Sequence, residues 1–242
     1  MQPTFSIITC TYNAAKTLER TIRSVDGQTY PHIEHIILDG ASTDGTLAIA
    51  AMSQRAKVIS EPDKGLYDAM NKGIRMATGD YIIFLNAGDR FHDRETLAKA
   101  AATLTGLEDI IYGETAIVDG DGKFIRMRRL KAPKSLNWKS FRNGMLVCHQ
   151  AFWARTELAR HTPYDLGFKF SSDVDWCIRI MKQASVIHNT GLTLVDYLDE
   201  GMTTGNRTAS LKERFRIMSR HYGIACTVLR HMMFAVRGII LR

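Results

Sequence analysis

The sequence predicts an α/β fold with a mostly parallel central sheet flanked by helices. Over residues 4–90, short runs of apolar and β-branched residues alternate with segments whose apolar residues recur at helical spacing. The turns that follow these runs are rich in Asn, Asp or Gly. Strands that alternate with helices of this length require right-handed crossover connections, which place helices on both faces of a parallel sheet.

The first strand–helix unit lies at the start of the chain. Residues 4–11 are mostly apolar or β-branched and favour a strand, which ends at Tyr12 and Asn13. The turn after this strand contains no glycine. The helix that follows is indicated by apolar residues at helical spacing, which are Ala15, Leu18, Ile22 and Val25.

The second unit has the same arrangement. Residues 33–38 predict a strand, and a helix is predicted from Thr46 to about Ser53. The turn between them contains two acids, Asp39 and Asp44, and two glycines. This turn therefore carries carboxylates at the end of a buried strand.

The fourth strand ends at an isolated carboxylate. A third strand at residues 58–60 and a helix over residues 66–77 precede the apolar run 81–85, which stops at Asn86-Ala87-Gly88-Asp89. Ligands gather outside the carboxyl ends of strands in open α/β sheets, and an Asp there can bind a hard cation that carries a diphosphate. The alternative is an ordinary strand-terminating turn.

The middle of the chain predicts a β-hairpin. Residues 110–113 and 115–118 predict strands, and the turn at residues 119–122 joins the second of these to a strand at residues 124–127. Basic residues cluster in and after the last strand, at Arg126, Arg128, Arg129, Lys131 and Lys134.

A later helix begins with two acids. It is predicted to start near Asp173 and to bury Trp176 and Ile180. Asp173 is either an N-cap, whose oxygen accepts first-turn N–H groups, or a functional carboxylate. Asp175 points about 200° away around the helix, so only one of the two acids is expected to face a site.

The formal charge of +7 is concentrated in the C-terminal segment. Residues 207–242 contain eight Lys or Arg and one acid, Glu213, whereas the rest of the chain is balanced. Residues 224–241 are also apolar but are interrupted by basic residues. This segment therefore poorly fits a transmembrane helix, which needs about 20 predominantly apolar residues.

Three interpretations of this helical tail are open. Basic residues beside apolar ones favour a helix that lies in the interface of an anionic membrane. The tail can equally be a last helix that packs on the protein's own core. Nucleic-acid binding is the weakest interpretation, because the tail is richer in aliphatic residues than a phosphate-binding arm requires. We expect no nucleic-acid partner.

The composition fits a reduced globular protein. Hydrophobic residues make up 45% of the 242 residues, which is ordinary for a globular chain. The four cysteines match no zinc or redox spacing, so free thiols in a cytoplasmic protein are expected rather than disulfides. The first residues lack the charged and apolar regions of a signal peptide, and export is not expected.

Several motifs together resemble the family 2 glycosyltransferases, most closely the bacterial branch that builds capsule, exopolysaccharide and lipopolysaccharide sugars. They are residues 6–13, 39–46, 60–73 and 77–89, with a looser resemblance at residues 149–150 and 172–175. The resemblance implies a GT-A fold with a Rossmann-like central sheet, a nucleotide-sugar donor and a divalent cation, Mg²⁺ or Mn²⁺. It also implies inversion at the anomeric carbon by direct displacement.

The resemblance also implies roles for individual residues. Asp39 matches the position that reads the nucleobase, usually uracil, and Thr11 and Tyr12 match the turn that lies along the nucleoside. Asp89 matches the metal-binding carboxylate, and Asp173 matches the general base.

Further candidates fall into two groups, for which structural or solvated roles are the alternative. The nucleotide-binding candidates are Asn13, Asp44, Lys64 and Asn71. The acceptor-side candidates are His149, Gln150 and Asp175, the last as a reserve for the base.

The chain departs from the family pattern at several positions. Gly40 stands where many members have a second Asp, and Asn86 and Gly88 replace acids of the Asp-x-Asp signature. Two further replacements are Met70 for a frequent Arg and Ser172 for a common Glu. Asp89 is therefore the one carboxylate left for a cation, which would complete its coordination with phosphate oxygens and water.

The predicted function is transfer of a sugar, from a UDP-sugar by preference, to a glycan or a polyprenyl-diphosphate-linked glycan in bacterial surface polysaccharide synthesis. We expect residues 1–130 to form the nucleotide-sugar-binding half and residues 131–206 the acceptor-side half with the base. Residues 207–242 would contact the inner face of the cytoplasmic membrane as a basic amphipathic tail.

Two other classes of function are open. A nucleotidyltransferase normally has a Gly-rich loop with a basic residue after its first strand, which residues 11–15 lack. A non-catalytic protein that binds sugar nucleotides or a membrane surface is compatible with the missing acids. Candidates for every catalytic role weigh against it.

Overall fold

A nine-stranded sheet forms the centre of the computed structural model, which describes residues 2–199 and 207–240. Its strands are β1 (Phe5–Thr11), β2 (Ile33–Asp39), β3 (Ala56–Ser60), β4 (Tyr81–Phe84), β5 (Arg90–Phe91), β6 (Ile110–Val118), β7 (Phe124–Met127), β8 (Phe152–Arg155) and β9 (Ile187–Leu198). They are hydrogen-bonded in the order β3-β2-β1-β4-β8-β6-β9-β5, and β7 pairs with β6 outside this path.

Helices connect and cover the strands. The α-helices are α1 (Leu18–Asp26), α2 (Thr46–Ala50), α3 (Leu66–Met76), α4 (Thr96–Ala102), α5 (Thr156–His161), α6 (Ser172–Gln183), α7 (Arg207–Tyr222) and α8 (Ile224–Ile240). Two 3₁₀ helices, Trp138–Asn143 and His149–Ala151, lie between β7 and β8.

The N-terminal half is the parallel sheet that the sequence predicts. β1 pairs in parallel with β2 and β4, and β2 pairs in parallel with β3. All seven residues of β1 are buried, as expected for a central strand with helices on both faces. The α/β fold class is therefore confirmed.

The second half of the sheet is mixed. β8 pairs antiparallel with β4 and β6, and β9 runs parallel to β6 but antiparallel to β5. The two strands predicted at residues 110–118 are one strand, β6, whose register with β9 shifts around Gly113. A Cβ at Gly113 would lie 2.5 Å from the Leu192 carbonyl oxygen, so glycine permits the close approach of β9.

One hydrophobic core spans both halves, from Phe5 on β1 to Ile217 on α7. Its largest fully buried side chains are Trp153 and Trp176. Because β4 pairs directly with β8, the two predicted halves share one sheet as well as one core.

The two C-terminal helices differ in how they pack. α7 packs on the body of the protein, with Ile217 and Met218 buried. α8 continues from Gly223 and leaves Leu229 and Met232 exposed. The packing of α7 fits the interpretation of a last helix docked on the core, and the exposed apolar residues of α8 fit the membrane interpretation. Residues 200–206 and 241–242 lie outside the described residues. Among the described residues, no helix combines the length and the apolar character that crossing a bilayer requires.

Candidate functional site

The predicted site residues of the N-terminal half lie at the carboxyl ends of neighbouring strands. Thr11 at the end of β1 pairs with Asp39 at the end of β2, and Asp39 pairs with Ser60 at the end of β3. The register of the parallel strands therefore brings turns from different units to the same edge of the sheet.

Asp39 is buried and held by hydroxyl groups of its surroundings. Its Oδ2 accepts from the Ser42 backbone N–H at 2.9 Å and from Ser60 Oγ at 2.7 Å, while its Oδ1 accepts from Ser42 Oγ. A carboxylate has about four acceptor sites, so these three bonds leave room for one further donor. Asp39 is thus oriented and still able to read a nucleobase N–H.

Beside Asp39, two side chains offer contacts to a nucleoside. Within the described residues, the buried hydroxyl of Thr11 has no hydrogen-bond partner. Tyr12 is 66% exposed, and a large exposed ring next to a polar cleft is suited to stacking.

Gly40 makes room for two neighbours of the cleft. A Cβ at this position would lie 2.7 Å from an Asp63 carboxylate oxygen and 3.4 Å from the Tyr12 ring. The carboxylate of Asp63 therefore lies next to Gly40, the position at which the family resemblance leads us to expect a second Asp.

Asn13 and Asp44 connect the turns after β1 and β2 through hydrogen bonds. Asn13 adopts a positive φ of 48°, a conformation that Asn tolerates, and its Oδ1 accepts from the Thr43 N–H at 3.0 Å. Asp44 accepts from the backbone N–H groups of Ala15 and Thr46, and the Thr46 hydroxyl bond holds the pKa of Asp44 below its ordinary value. These contacts shape the cleft, and a direct contact of either residue with nucleotide stays a prediction.

Lys64 and Asn71 differ in their accessibility. The Lys64 side chain is exposed at the start of α3. Asn71 is buried, where its Nδ2 donates to the Tyr164 carbonyl at 3.1 Å and its Oδ1 accepts from the Tyr164 N–H at 2.7 Å. Because both amide groups are used, the structure favours a structural role for Asn71 over the predicted nucleotide contact.

Asp89 is buried after β4, and both of its oxygens accept hydrogen bonds. Oδ1 accepts from the Leu198 N–H at 2.9 Å, and Oδ2 accepts from Gln150 Nε2 at 2.8 Å. Burial nevertheless raises the pKa of Asp89 to about 7, since removing a carboxylate from water disfavours its charge. A cation nearby would restore the ionised form.

The donor atoms around Asp89 are compatible with a hard cation. The Asn86 amide oxygen is a buried acceptor without a partner among the described residues. Amide and carboxylate oxygens are suitable ligands for Mg²⁺ or Mn²⁺. The described residues contain no group of three or more His, Cys, Asp or Glu that could hold a metal, so phosphate and water would have to complete the coordination.

Asp173 lies in the first turn of α6 and is half-buried. Ser171 occupies the N-cap position, so the N-cap interpretation of Asp173 is wrong. The Tyr67 hydroxyl at 3.2 Å and the Val174 N–H at 2.9 Å both donate to Oδ1. Within the described residues Oδ2 has no partner, which leaves it open to an acceptor hydroxyl.

The 3₁₀ helix His149–Ala151 lies between the two acids. Gln150 bonds to Asp89 on one side, and His149 Nε2 bonds to the Tyr164 hydroxyl at 2.6 Å on the other. Tyr164 stacks on Tyr67, whose hydroxyl reaches Asp173. A continuous series of contacts therefore runs from Asp89 to Asp173.

Two buried side chains are influenced by the charge of both acids. Burial is the main cause that raises the pKa of Cys148 and of Tyr197, and the negative charges of Asp89 and Asp173 raise both further. This agrees with the series of contacts that joins the two acids through Gln150, His149, Tyr164 and Tyr67.

The acceptor-side candidates need revision. Asp175 is fully buried, where it bonds to Arg179 at 2.6 Å and to His221 of α7 at 2.7 Å. It faces the C-terminal helices, as the helical repeat predicts for the acid that does not face the site, so the structure favours a structural role for Asp175. His149 is buried against Phe84 and Trp176, which favours the structural role left open for it.

Sequence reasoning missed the support of Asp173. The carboxylate of Glu213 on α7 accepts from three successive backbone N–H groups before α6, at Lys169, Phe170 and Ser171. Glu213 is the one acid of the C-terminal segment, which was a visible signal. Tyr67 carried no comparable signal, because its contact with Asp173 spans 106 positions of sequence.

A family model decides the relationship of this chain to known proteins. The model described as glycosyl transferase family 2 matches residues 6–161. The chain belongs to glycosyl transferase family 2. Its resemblance to that family, inferred from motifs, is thereby confirmed.

Curated relatives within glycosyl transferase family 2 come from several bacteria. An uncharacterized glycosyltransferase of Mycobacterium tuberculosis is 35% identical over 184 residues, 73% of this chain and 68% of the relative. A PGL/p-HBAD biosynthesis glycosyltransferase of Mycobacterium bovis is 33% identical over 193 residues, 76% of this chain and 72% of the relative. The amylovoran biosynthesis glycosyltransferase AmsB of Erwinia amylovora is 30% identical over 74% of this chain and 64% of the relative.

Solved structures show the same fold. The S. aureus TarS structure in complex with UDP-GlcNAc gives a TM-score of 0.74 at 20% identity, covering 93% of this chain and 66% of that chain. The mannosyltransferase PcManGT from Pyrobaculum calidifontis, in complex with GDP-Man and Mn²⁺, gives 0.65 at 15% identity, covering 98% and 76%. The chain has the GT-A fold.

Proposed function

We propose that this glycosyltransferase moves a sugar from a nucleotide sugar, preferably a UDP-sugar, to a hydroxyl of a glycan or lipid-linked glycan with inversion at the anomeric carbon. The observation that carries the proposal is the series of contacts that joins Asp89 to Asp173 through Gln150, His149, Tyr164 and Tyr67.

The donor half of the proposal rests on the cleft at the ends of β1 and β2. Asp39 would accept from the nucleobase, with Thr11 and Tyr12 along the nucleoside. TarS was crystallised with UDP-GlcNAc and PcManGT with GDP-Man, which supports a nucleotide-sugar donor for this chain. The retained acceptor capacity of Asp39 favours a base that presents a ring N–H, such as uracil.

Asn86 and Asp89 would hold the divalent cation. When bound, the cation supplies positive charge to the diphosphate as the sugar leaves. Gln150 and the Leu198 N–H fix the Asp89 carboxylate, so its orientation is set before any ligand arrives. The PcManGT complex contains Mn²⁺, which supports a cation in this fold.

Asp173 would act as the general base. Both hydrogen bonds that Asp173 accepts from the described residues are made to Oδ1. Oδ2 is therefore left to take the proton of the acceptor hydroxyl as the hydroxyl oxygen attacks the anomeric carbon and the nucleoside diphosphate leaves.

The acceptor is proposed to be a glycan carried on a polyprenyl diphosphate at the inner face of the cytoplasmic membrane. The exposed apolar residues and basic charge of the C-terminal segment support a peripheral contact of α8 with anionic lipid. The amylovoran biosynthesis relative supports a role in polysaccharide synthesis.

The test uses Asp173→Asn in the full chain. A thermal-shift screen of UDP, GDP and their sugars with Mg²⁺ or Mn²⁺ first identifies the donor. The variant should then lose about 10²- to 10⁴-fold in transfer rate, the usual contribution of a general base, while the affinity for the nucleotide stays within about twofold. Tyr67→Phe, which removes one bond to Oδ1, should reduce the rate far less.

Asp121→Asn, at an exposed turn, is the matched control and should behave as the wild type. Retained transfer in Asp173→Asn together with weakened nucleotide binding would show that Asp173 is not the base. Failure of every nucleotide sugar to stabilise the wild-type protein would remove the donor assignment.

A further inference from the structure

Exposed apolar side chains concentrate in two segments of the described chain. The first segment is β7 with the residues that follow it, and the second is α8. Eight of the fifteen exposed large apolar side chains in the described residues lie there, namely Phe124, Ile125, Met127, Leu130, Ile224, Leu229, Met232 and Met233. Scattered exposed apolar residues are ordinary, but such clusters mark interaction surfaces.

β7 exposes apolar residues on both of its faces. Successive side chains of a strand point to opposite sides, so Phe124 and Ile125 lie on different faces, yet they are 58% and 48% exposed. The strand pairs with β6 only. It therefore projects at an edge of the sheet and adds little to the core.

The segment after β7 is held firmly in place. The Arg128 guanidinium donates to the carbonyls of Leu130 and Leu146 at 3.1 Å and to that of Met145 at 2.6 Å. Met145 and Leu146 lie shortly before the 3₁₀ helix that carries Gln150. The apolar hairpin is thus fixed to the acceptor-side wall of the site.

α8 presents a second apolar face. Leu229, Met232 and Met233 are exposed and follow one another at helical spacing, so they share one side of the helix. The opposite side contacts the protein through buried Thr227 and through His231, whose ring packs against Phe215.

The two apolar segments meet at residues 143–144. Arg230 of α8 donates to the Asn143 side-chain oxygen at 2.9 Å. A Cβ on the next residue, Gly144, would lie 3.2 Å from the Leu130 side chain. The hairpin and α8 therefore border one continuous surface.

The charge of this surface is predominantly positive. Residues 119–134 contain six Lys or Arg and two acids, Asp119 and Asp121, and α8 adds Arg230 and contains no acid. A second copy of the chain would bring the same net positive charge against it, which disfavours a symmetric dimer. Apolar side chains beside an excess of cations are suited to an anionic lipid interface.

We propose that β7 with residues 128–130 and the outer face of α8 form one docking surface for an anionic lipid bilayer. The inference extends the proposed membrane contact of α8, on which it rests, by adding the hairpin as a second point of attachment. Two attachment points fix the orientation of the protein on the bilayer. The segment leading to Gln150 then faces the lipid, where a lipid-linked acceptor resides.

The test is flotation of the full chain with phosphatidylcholine vesicles that either contain or lack phosphatidylglycerol. The wild type should float with the anionic vesicles alone. The hairpin variant Phe124→Ser/Ile125→Ser and the helix variant Leu229→Ser/Met232→Ser should each lower the partition coefficient about tenfold or more. Leu107→Ser/Met52→Ser, at exposed sites outside the surface, is the matched control and should float as the wild type.

The outcomes separate this inference from the proposed function. Wild-type flotation of the hairpin variant, with loss in the helix variant, would overturn the hairpin's role and leave the α8 contact intact. Absence of wild-type flotation would overturn both. Unchanged flotation of both variants, with RNA binding lost in gel shifts, would assign the surface to nucleic acid. Thermal shift with UDP should be retained in both variants, which separates membrane docking from donor binding.

Discussion

Asp89 and Asp173 are two carboxylates in opposite surroundings. Asp89 is buried with both oxygens bonded, and burial raises its pKa to about 7. Asp173 is half-buried and has one oxygen without a partner among the described residues. Asp89, which is buried and needs a compensating cation, fits the proposed role of cation ligand. Asp173, which is more accessible and can take a proton, fits the proposed role of general base.

Another buried ionisable residue lies on the strand that ends at Asp39. His35 of β2 is 1% exposed, and its Nε2 lies 3.1 Å from Thr9 Oγ1. Burial lowers the pKa of His35 to about 4, because the charged imidazole would lose its hydration. His35 is therefore neutral in the folded protein at pH 7.

The free energy of unfolding should fall as the pH decreases from about 6.5 to about 4. In this window the unfolded chain binds a proton at His35 and the folded chain does not, which costs up to about 3 kcal/mol at the lower end. Urea denaturation of His35→Gln, which cannot titrate, should show a correspondingly flatter pH dependence. His161→Gln, at an exposed position, is the control. Equal pH profiles for His35→Gln and the wild type would contradict the assignment.

At the scale of single residues, the sequence predicted where the candidate carboxylates lie better than it predicted the hydrogen-bond partners of individual side chains. Asp39, Asp89 and Asp173 lie at element ends that the hydrophobic pattern locates, so their placement was predictable. The structural contacts of Asn71 were not predictable, because its partner, the Tyr164 backbone, lies 93 positions away. No local pattern reports contacts over such separations.

At the scale of elements, α7 supports the start of α6. Glu213 accepts the N–H groups of residues 169–171, and Ser210 of α7 lies 3.0 Å from Ser171, oxygen to oxygen. The turn that presents Asp173 is thus fixed by a helix of the C-terminal segment. We propose that Glu213 positions Asp173, the proposed base.

Glu213→Ala should lower the transfer rate more than it lowers nucleotide affinity. The N–H groups of buried Ser171, half-buried Phe170 and exposed Lys169 lose their acceptor, which should also destabilise the fold by about 1–3 kcal/mol. Glu213→Gln retains one acceptor oxygen and should recover part of the rate, while exposed Lys212→Ala should change neither quantity. Rates, UDP affinity by calorimetry and thermal unfolding measure the three effects. A Glu213→Ala enzyme with wild-type turnover would refute the role.

The elements themselves were predictable to different degrees. Strands β1 to β4 and helices α1 to α3 follow clear alternation of apolar runs and helical spacing, and they occur where the sequence predicts them. β9 was missed, because its polar and apolar residues, Ile187–Leu198, follow no simple period and its burial is uneven. Its pairing with β6 decides its structure, and long-range pairing is not encoded locally.

At the scale of the whole molecule, the C-terminal segment is two parts with different roles. α7 completes the fold, since its His221 and Arg220 contact fully buried Asp175, which also pairs with Arg179 of α6. α8 adds an exposed apolar face. Removal of residues 207–242 as a unit would therefore disturb the site as well as any membrane contact.

Truncation after residue 222 should be tolerated, whereas truncation after residue 206 should not. The longer chain keeps Glu213, His221 and the stacked pair of Tyr222 and Trp138. The shorter one removes His221 and Arg220 and leaves Asp175 with Arg179 alone among these three partners, and breaking such a buried group typically costs about 3–5 kcal/mol. Melting temperatures of the two truncated chains and the full chain measure the difference. Equal melting of all three would show that α7 is dispensable for folding.

The pairing of β4 with β8, and of β8 with β6, has a consequence for engineering. The proposed donor and acceptor regions share one hydrogen-bonded sheet, so a chimera cut between them would break strand pairing instead of joining modules. We expect that a change of sugar or acceptor specificity needs grafted loops instead, for example residues 128–148, whose two ends Arg128 joins through the carbonyls of Met145 and Leu146.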